Sequence, residues 1–193
     1  MTTLAIILAA GRGRRMGLDK ALLDLGGMTA IERVVKACSE GGIEQAIIVR
    51  RSGAAPLPAV IETRVVEVSG AGEMSDSFRA ALTAAPPHER VLLFPVDHAL
   101  VDRETVAAVT ARLELPAAKI SLPLWRERPG HPIALTAPVA AEVLDPATHS
   151  VRDVVRRDPE RVVAVEVDDP WVCAGLNTPG DLQQAREFLR TRG

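Results

Sequence analysis

Leu8-Ala-Ala-Gly-Arg-Gly-Arg-Arg-Met-Gly-Leu-Asp-Lys-Ala-Leu-Leu-Asp-Leu25 is the stretch on which the reading of this chain turns. It opens where a short apolar run, Leu4–Leu8, gives out. A continuous apolar run of that length, stopped by glycine, is the pattern of a strand covered on both faces. Gly11, Gly13 and Gly17 follow, interleaved with Arg12, Arg14, Arg15 and Lys20. Glycine lets backbone N–H groups converge on an anion, and the cations supply the charge that holds it. A strand running into such a turn reads as a cradle for a polyphosphate. It is not a P-loop, because no Gly-x4-Gly-Lys-Ser/Thr is present, and the dinucleotide fingerprint fails at Met16.

Working outward, further strand patterns fall at 45–50, 64–68, 91–95, 119–122, 133–136 and 162–167. They alternate with helical spacings, which gives an α/β fold with a mainly parallel sheet. Ile31, Val34, Val35 and Cys38 mark one helix, and Phe78, Ala81 and Leu82 a second. Asp102 can cap a third that turns Val106, Val109 and Leu113 inward. Thr178-Pro179 has cap and first-turn chemistry for a last helix burying Leu182, Ala185 and Leu189. Residues 53–58 and 85–88 read as surface loops. With no repeat, low-complexity tract or linker, residues 1–193 are expected to form one domain.

Composition excludes several classes. A net charge of −2 argues against a general nucleic-acid binder, so the cations at 12–20 have a local purpose. No apolar run approaches the roughly 20 residues of a membrane span, and no signal stretch precedes Leu4, so the cytoplasm is the expected location. Cys38 and Cys173 have neither metal-ligand spacing nor a disulfide framework, and the histidines form no zinc pattern.

Leu-Ala-Ala-Gly-x-Gly-x-Arg-Met-Gly-x-x-Lys, residues 8–20, resembles the signature of MobA-like nucleotidyltransferases, the group that includes molybdopterin cytidylyltransferases and molybdopterin-guanine dinucleotide synthases. The resemblance implies a three-layer, Rossmann-like nucleotidyltransferase fold and Mg2+-dependent transfer of a nucleotide onto a phosphorylated acceptor. It implies that Leu8, Ala9, Ala10, Gly11, Arg12, Gly13 and Arg15 surround the nucleotide, with Arg15 on the β- and γ-phosphates and Lys20 on the α-phosphate. The residue chemistry agrees: guanidinium binds phosphate bidentately, and an ammonium suits the point where charge builds. Arg12 and Arg14 read equally as solvated surface positions.

Four other stretches carry the resemblance. Phe94-Pro95-Val96-Asp97-His98 is similar to the family's metal motif, with Asp97 on Mg2+; magnesium takes one or two carboxylates beside phosphate oxygens. The alternative is a turn or capping Asp. Both this motif and the glycine turn follow strands, hence fall at the carboxyl edge where α/β sheets gather ligands. Gly175-Leu-Asn177-Thr178-Pro179-Gly-Asp181 suggests Asn177 as a second metal oxygen or as a turn residue, with Asp181 serving the helix start. Glu73-Met-Ser75-Asp-Ser77-Phe78 places Ser75 and Ser77 towards the nucleotide, or leaves Ser75 as an N-cap. Gly130-His131-Pro132, with His98, is expected on the acceptor side; a Pro-Gly turn with an exposed histidine is the plainer reading.

Ala9-Ala10-Gly11 and the Ser75/Ser77 and Gly130-His131-Pro132 stretches lean towards CTP, whereas Asp19-Lys20 and Asn177-Thr178-Pro179 resemble the GTP-using branch. The sequence alone favours CTP, with GTP the alternative, and molybdopterin as acceptor. A molybdoenzyme or cofactor-delivery protein would then be the partner. Two other readings stand beside this: transfer to a sugar phosphate or small alcohol phosphate, and a non-catalytic nucleotide-binding protein of cofactor maturation. Nucleotidyltransferases that load sugar phosphates often carry an additional C-terminal domain, which this sequence is not expected to have. Keeping Arg15, Lys20 and Asp97 together favours catalysis, since binding alone tolerates loss of the metal aspartate.

Overall fold

The computed structural model describes residues 2–11, 17–59, 63–69 and 73–192. Its strands are β1 (Thr3–Ala9), β2 (Gln45–Arg51), β3 (Arg64–Val68), β4 (Arg90–Pro95), β5 (Ile120–Trp125), β6 (Arg128–Pro129), β7 (Ile133–Thr136) and β8 (Val162–Glu166). The helices are α1 (Ala30–Glu40), α2 (Met74–Thr83), α3 (Arg103–Ala111), α4 (Ala137–Ala141), α5 (Val151–Arg157) and α6 (Pro179–Arg192). One sheet runs β3-β2-β1-β4-β7-β5, and β8 closes the far side of β5. β1, β2, β3 and β4 pair in parallel, as do β5 and β8, while β7 runs antiparallel between β4 and β5.

Alternation along β1 makes the three layers. Ala5, Ile7 and Ala9 face a core filled by Ile31, Val34 and Cys38 of α1, Val106 and Val109 of α3, and Leu182 and Ala185 of α6. Leu4, Ile6 and Leu8 face the opposite core with Phe78 and Ala81 of α2, Val139 of α4, and Val151 and Val154 of α5. Successive side chains of a strand point to opposite faces, so a run apolar at every position is what two buried faces require. Arg79 of α2 donates to the carbonyls of Val143 and Thr148, tying α2 to the segments around α4 and α5.

All seven expected strands are present. The sequence reading omitted β6, α4 and α5. β5 and β6 form a hairpin whose turn residues, Arg126 and Glu127, have φ of 49° and 64°. Two residues at positive φ suit a tight hairpin, but the usual signal is Asn or Gly there. α4 and α5 are too short to show a period. Asp102 does stand at the start of α3, but without a capping hydrogen bond from its own side chain. The carboxylate bracing that end is Asp169, whose Oδ2 accepts from Asp102 N (2.9 Å) and Thr105 Oγ1 (3.0 Å). Among the described residues no helix is long and apolar enough to cross a membrane.

Candidate active site

Parallel pairing sets Leu8 beside Pro95, so the ends of β1 and β4 lie level at one edge of the sheet. Beyond β4 the chain makes a single 3-10 turn, Val96–His98, that carries Asp97. On the β1 side, Asp19 Oδ1 accepts from Ala21 N at 3.1 Å and opens another such turn, Lys20–Leu22. Ala21 is fully buried, which anchors this turn and leaves Lys20 facing the edge. Lys20 Nζ donates to Asp97 Oδ2 at 3.0 Å and to Asn177 Oδ1 at 2.8 Å. Side-chain exposures of 16% for Lys20 and 24% for Asp97 put this ion pair in a partly sheltered crevice rather than on open surface.

Asn177 is delivered by the segment before α6. Leu176 N donates to the Asp97 carbonyl at 2.8 Å, stitching the two segments together. Asp181 Oδ2 accepts from Asn177 N (2.8 Å) and Thr178 N (2.7 Å), and Thr178 Oγ1 accepts from Asp181 N. Asp181 therefore serves the helix start, as the sequence suggested. Asn177 Nδ2 donates to the Gly175 carbonyl at 3.1 Å, which turns the amide oxygen towards Lys20. A Cβ on Gly175 would lie 2.8 Å from that Nδ2, so a side chain here would push the Asn177 amide aside, while Asp97 Oδ2, at 3.5 Å, would be in ordinary contact.

His98 and His131 flank Asp97. Their ring centroids are 4.9 Å apart at 53°. His98 Nδ1 donates to the Trp171 carbonyl at 3.1 Å, which leaves Nε2 as the other polar atom of the ring. His131 N donates to the Val172 carbonyl at 2.9 Å. Gly130 is packed so closely that a Cβ would meet that carbonyl oxygen at 2.2 Å. His131 is thus wedged in the fold, not at the exposed edge of a turn. Burial pushes its imidazole down to about 4, helped by the charges of His98 and Arg152 and opposed by Asp97. It is neutral at physiological pH.

The structure brings together Lys20, Asp97, Asn177, His98, Gly130 and His131 from the expected site. Leu8 and Ala9 are buried at the end of β1, and Gly11 is exposed just beyond. Arg12, Gly13, Arg14 and Arg15 lie outside the described residues. Glu73, not Ser75, holds the N-cap position of α2; Ser75 and Ser77 lie within the helix, 5% and 7% exposed. Two residues of this edge went unread in the sequence. Gly175 carries no pattern by itself, and in the sequence Arg50 reads only as the last residue of the strand at 45–50. A charged residue ending a run covered on both faces needs a partner, and that was the available signal. Among the described residues, no group of three or more His, Cys, Asp or Glu is placed to hold a metal ion.

Residues 5–166 match the MobA-like NTP transferase domain. A probable molybdenum cofactor guanylyltransferase of Opitutus terrae is 31% identical over 193 residues, covering 93% of each chain. A 2-C-methyl-D-erythritol 4-phosphate cytidylyltransferase of Cereibacter sphaeroides is 36% identical, over 67% of this chain and 64% of its own. Among solved structures, a nucleotidyl transferase from Methanothermobacter superposes with a TM-score of 0.81 at 26% identity, over 98% of this chain and 99% of the other. The domain match spans most of the sequence and includes the glycine-rich turn, Lys20 and Asp97. This chain belongs to the MobA-like NTP transferase family of nucleotidyltransferases.

Proposed function

We propose that this protein transfers a nucleoside monophosphate from a nucleoside triphosphate to the phosphate of molybdopterin and releases pyrophosphate. The observation that carries the reading is the meeting of Lys20, Asp97 and Asn177 through contacts of 3.0 and 2.8 Å, across 77 and 157 residues of sequence. An oxygen of the acceptor phosphate attacks the α-phosphorus, the α–β bridging P–O bond breaks, and pyrophosphate leaves with that electron pair. Such transfer depends on positioning and charge rather than on covalent chemistry from the protein. Lys20 exchanges its carboxylate partner for α-phosphate oxygens. Arg15 and the N–H groups around Gly11–Gly13 take the β- and γ-phosphates, and the Ser75–Ser77 end of α2 lies on the nucleoside side. His98, Gly130 and His131 stand on the acceptor side.

The donor set suits Mg2+: one carboxylate, Asp97, and one amide oxygen, Asn177, with room left for phosphate oxygens. When bound there, the ion would neutralise charge on the transferring phosphoryl group. GTP is the first nucleotide to test, since relatives aligned over nine-tenths of both chains are named as a probable molybdenum cofactor guanylyltransferase and a molybdenum cofactor guanylyltransferase. CTP is the second, on Ser75, Ser77 and Gly130-His131-Pro132. The partial match to a cytidylyltransferase supports one further reading, transfer from CTP to a small alcohol phosphate. A cytoplasmic location fits enzymes that draw on the nucleotide pool, and a molybdoenzyme or cofactor-delivery protein would receive the product.

The test is pyrophosphate release with Mg2+ from GTP, CTP, ATP and UTP, each offered molybdopterin or an alcohol phosphate. Release is expected with GTP or CTP and molybdopterin. No release from any pair overturns the reading, and release only with the alcohol phosphate moves the acceptor. Lys20→Ala and Asp97→Ala should each lower kcat by roughly 100- to 1000-fold, as for loss of a charge aimed at the transition state. Arg15→Ala should act mainly on KM for the nucleotide.

A further inference from the structure

Arg50 sits at the end of β2, paired in register with Ala9, the last residue of β1. It is a buried arginine, 3% exposed, and its guanidinium is held on several sides. One terminal nitrogen donates to Asp19 Oδ1 at 3.0 Å and reaches the Ala9 carbonyl at 3.5 Å. The other donates to Asp19 Oδ2 at 2.8 Å and to the Ala55 carbonyl at 2.8 Å. Ala9 lies just before the glycine-rich turn and Asp19 just after it. Asp19 is also the neighbour of Lys20, and its Oδ1 accepts from Ala21 N at 3.1 Å.

We propose that Arg50 is a positioning residue: it ties Asp19 to Ala9 at the end of β1 and, through the Asp19 carboxylate, sets where Lys20 stands. This rests on the nucleotidyltransferase reading of the site. The fork shape of guanidinium matters, because a carboxylate gripped at both oxygens cannot rotate, whereas an ammonium grips it at one point. Taking a guanidinium out of water is costly, and a brace remote from the chemistry could be replaced by apolar packing with no loss of stability. Here the ion pair ends one residue from the cation assigned to the α-phosphate, so its geometry passes directly to Lys20.

The test is a double-mutant cycle on kcat/KM for pyrophosphate release, using the nucleotide and acceptor on which the wild type is active. Arg50→Lys keeps the charge and loses the fork. It should lower kcat/KM by about 10- to 100-fold, the scale of a small misplacement, with a folded circular-dichroism spectrum. In a Lys20→Ala background the same change should alter kcat/KM less than about twofold, since the side chain being positioned is gone. Equal losses in both backgrounds overturn the proposal and leave Arg50 a structural brace. Asp19→Asn serves in the same cycle if Arg50→Lys does not fold, and failure of both to fold overturns the proposal too. A wild type inactive on every pair sinks the site reading itself, which separates that failure from this one.

Discussion

Gly175 does its work by having no side chain. Its α-carbon lies where a methyl group would press on Nδ2 of Asn177, whose amide oxygen accepts from Lys20. Gly175→Ala is expected to push the Asn177 amide aside and lower turnover about tenfold, the effect of displacing a positioned group by a fraction of an ångström. The urea midpoint should stay near the wild type, because the atom a methyl group would displace is the far end of the exposed Asn177 side chain. Unchanged turnover would show that the Asn177 oxygen is not needed where it stands. His131 gives the pH prediction. Its folded value, about 4, lies below the ordinary 6.5 because burial disfavours the charged ring. The stability linked to the neutral form is therefore present in full above about pH 6.5 and is lost as pH falls towards 4. An NMR titration should find the His131 ring unprotonated down to about pH 5. A midpoint near 6.5 would show that the ring is open to water.

At the scale of elements, α1 is the helix whose local chemistry is most complete. Thr29 accepts from Glu32 N, and the Glu32 carboxylate accepts from Thr29 N at 2.7 Å, a reciprocal capping box. Thr29→Ala should cost about 1 kcal/mol in urea unfolding. A change within error would mean that packing of Ile31 and Val34 holds the helix start without the cap. The long apolar strands and the helices with a full period were legible in the sequence, since Ile31, Val34 and Cys38 or Phe78 and Ala81 repeat often enough to give a face. β6, α4 and α5 were not. The β5–β6 hairpin turns on Arg126 and Glu127 at positive φ, a conformation whose residues carry no turn signature, and a five-residue helix such as α4 is shorter than two turns.

For the whole molecule, the α/β alternation followed from apolar patterning: in β1 and β4 two-sided burial writes itself into nearly every position, whereas the outer strands β3 and β8 keep exposed positions among their apolar ones. The sequence by itself determined that Lys20 and Asp97 follow neighbouring strands, since each comes after an apolar run that ends at the same edge of the sheet. It determined the family as well. Which side chains meet was decided only by tertiary structure. Asn177 reaches Lys20 across 157 residues, and Arg50 reaches Asp19 across 31, because strand register and the path into α6 bring separate segments to one sheet edge. Local pattern records the face a residue turns to the core. It holds no record of the partner waiting on another strand, since that distance is set by how sheet and helices pack.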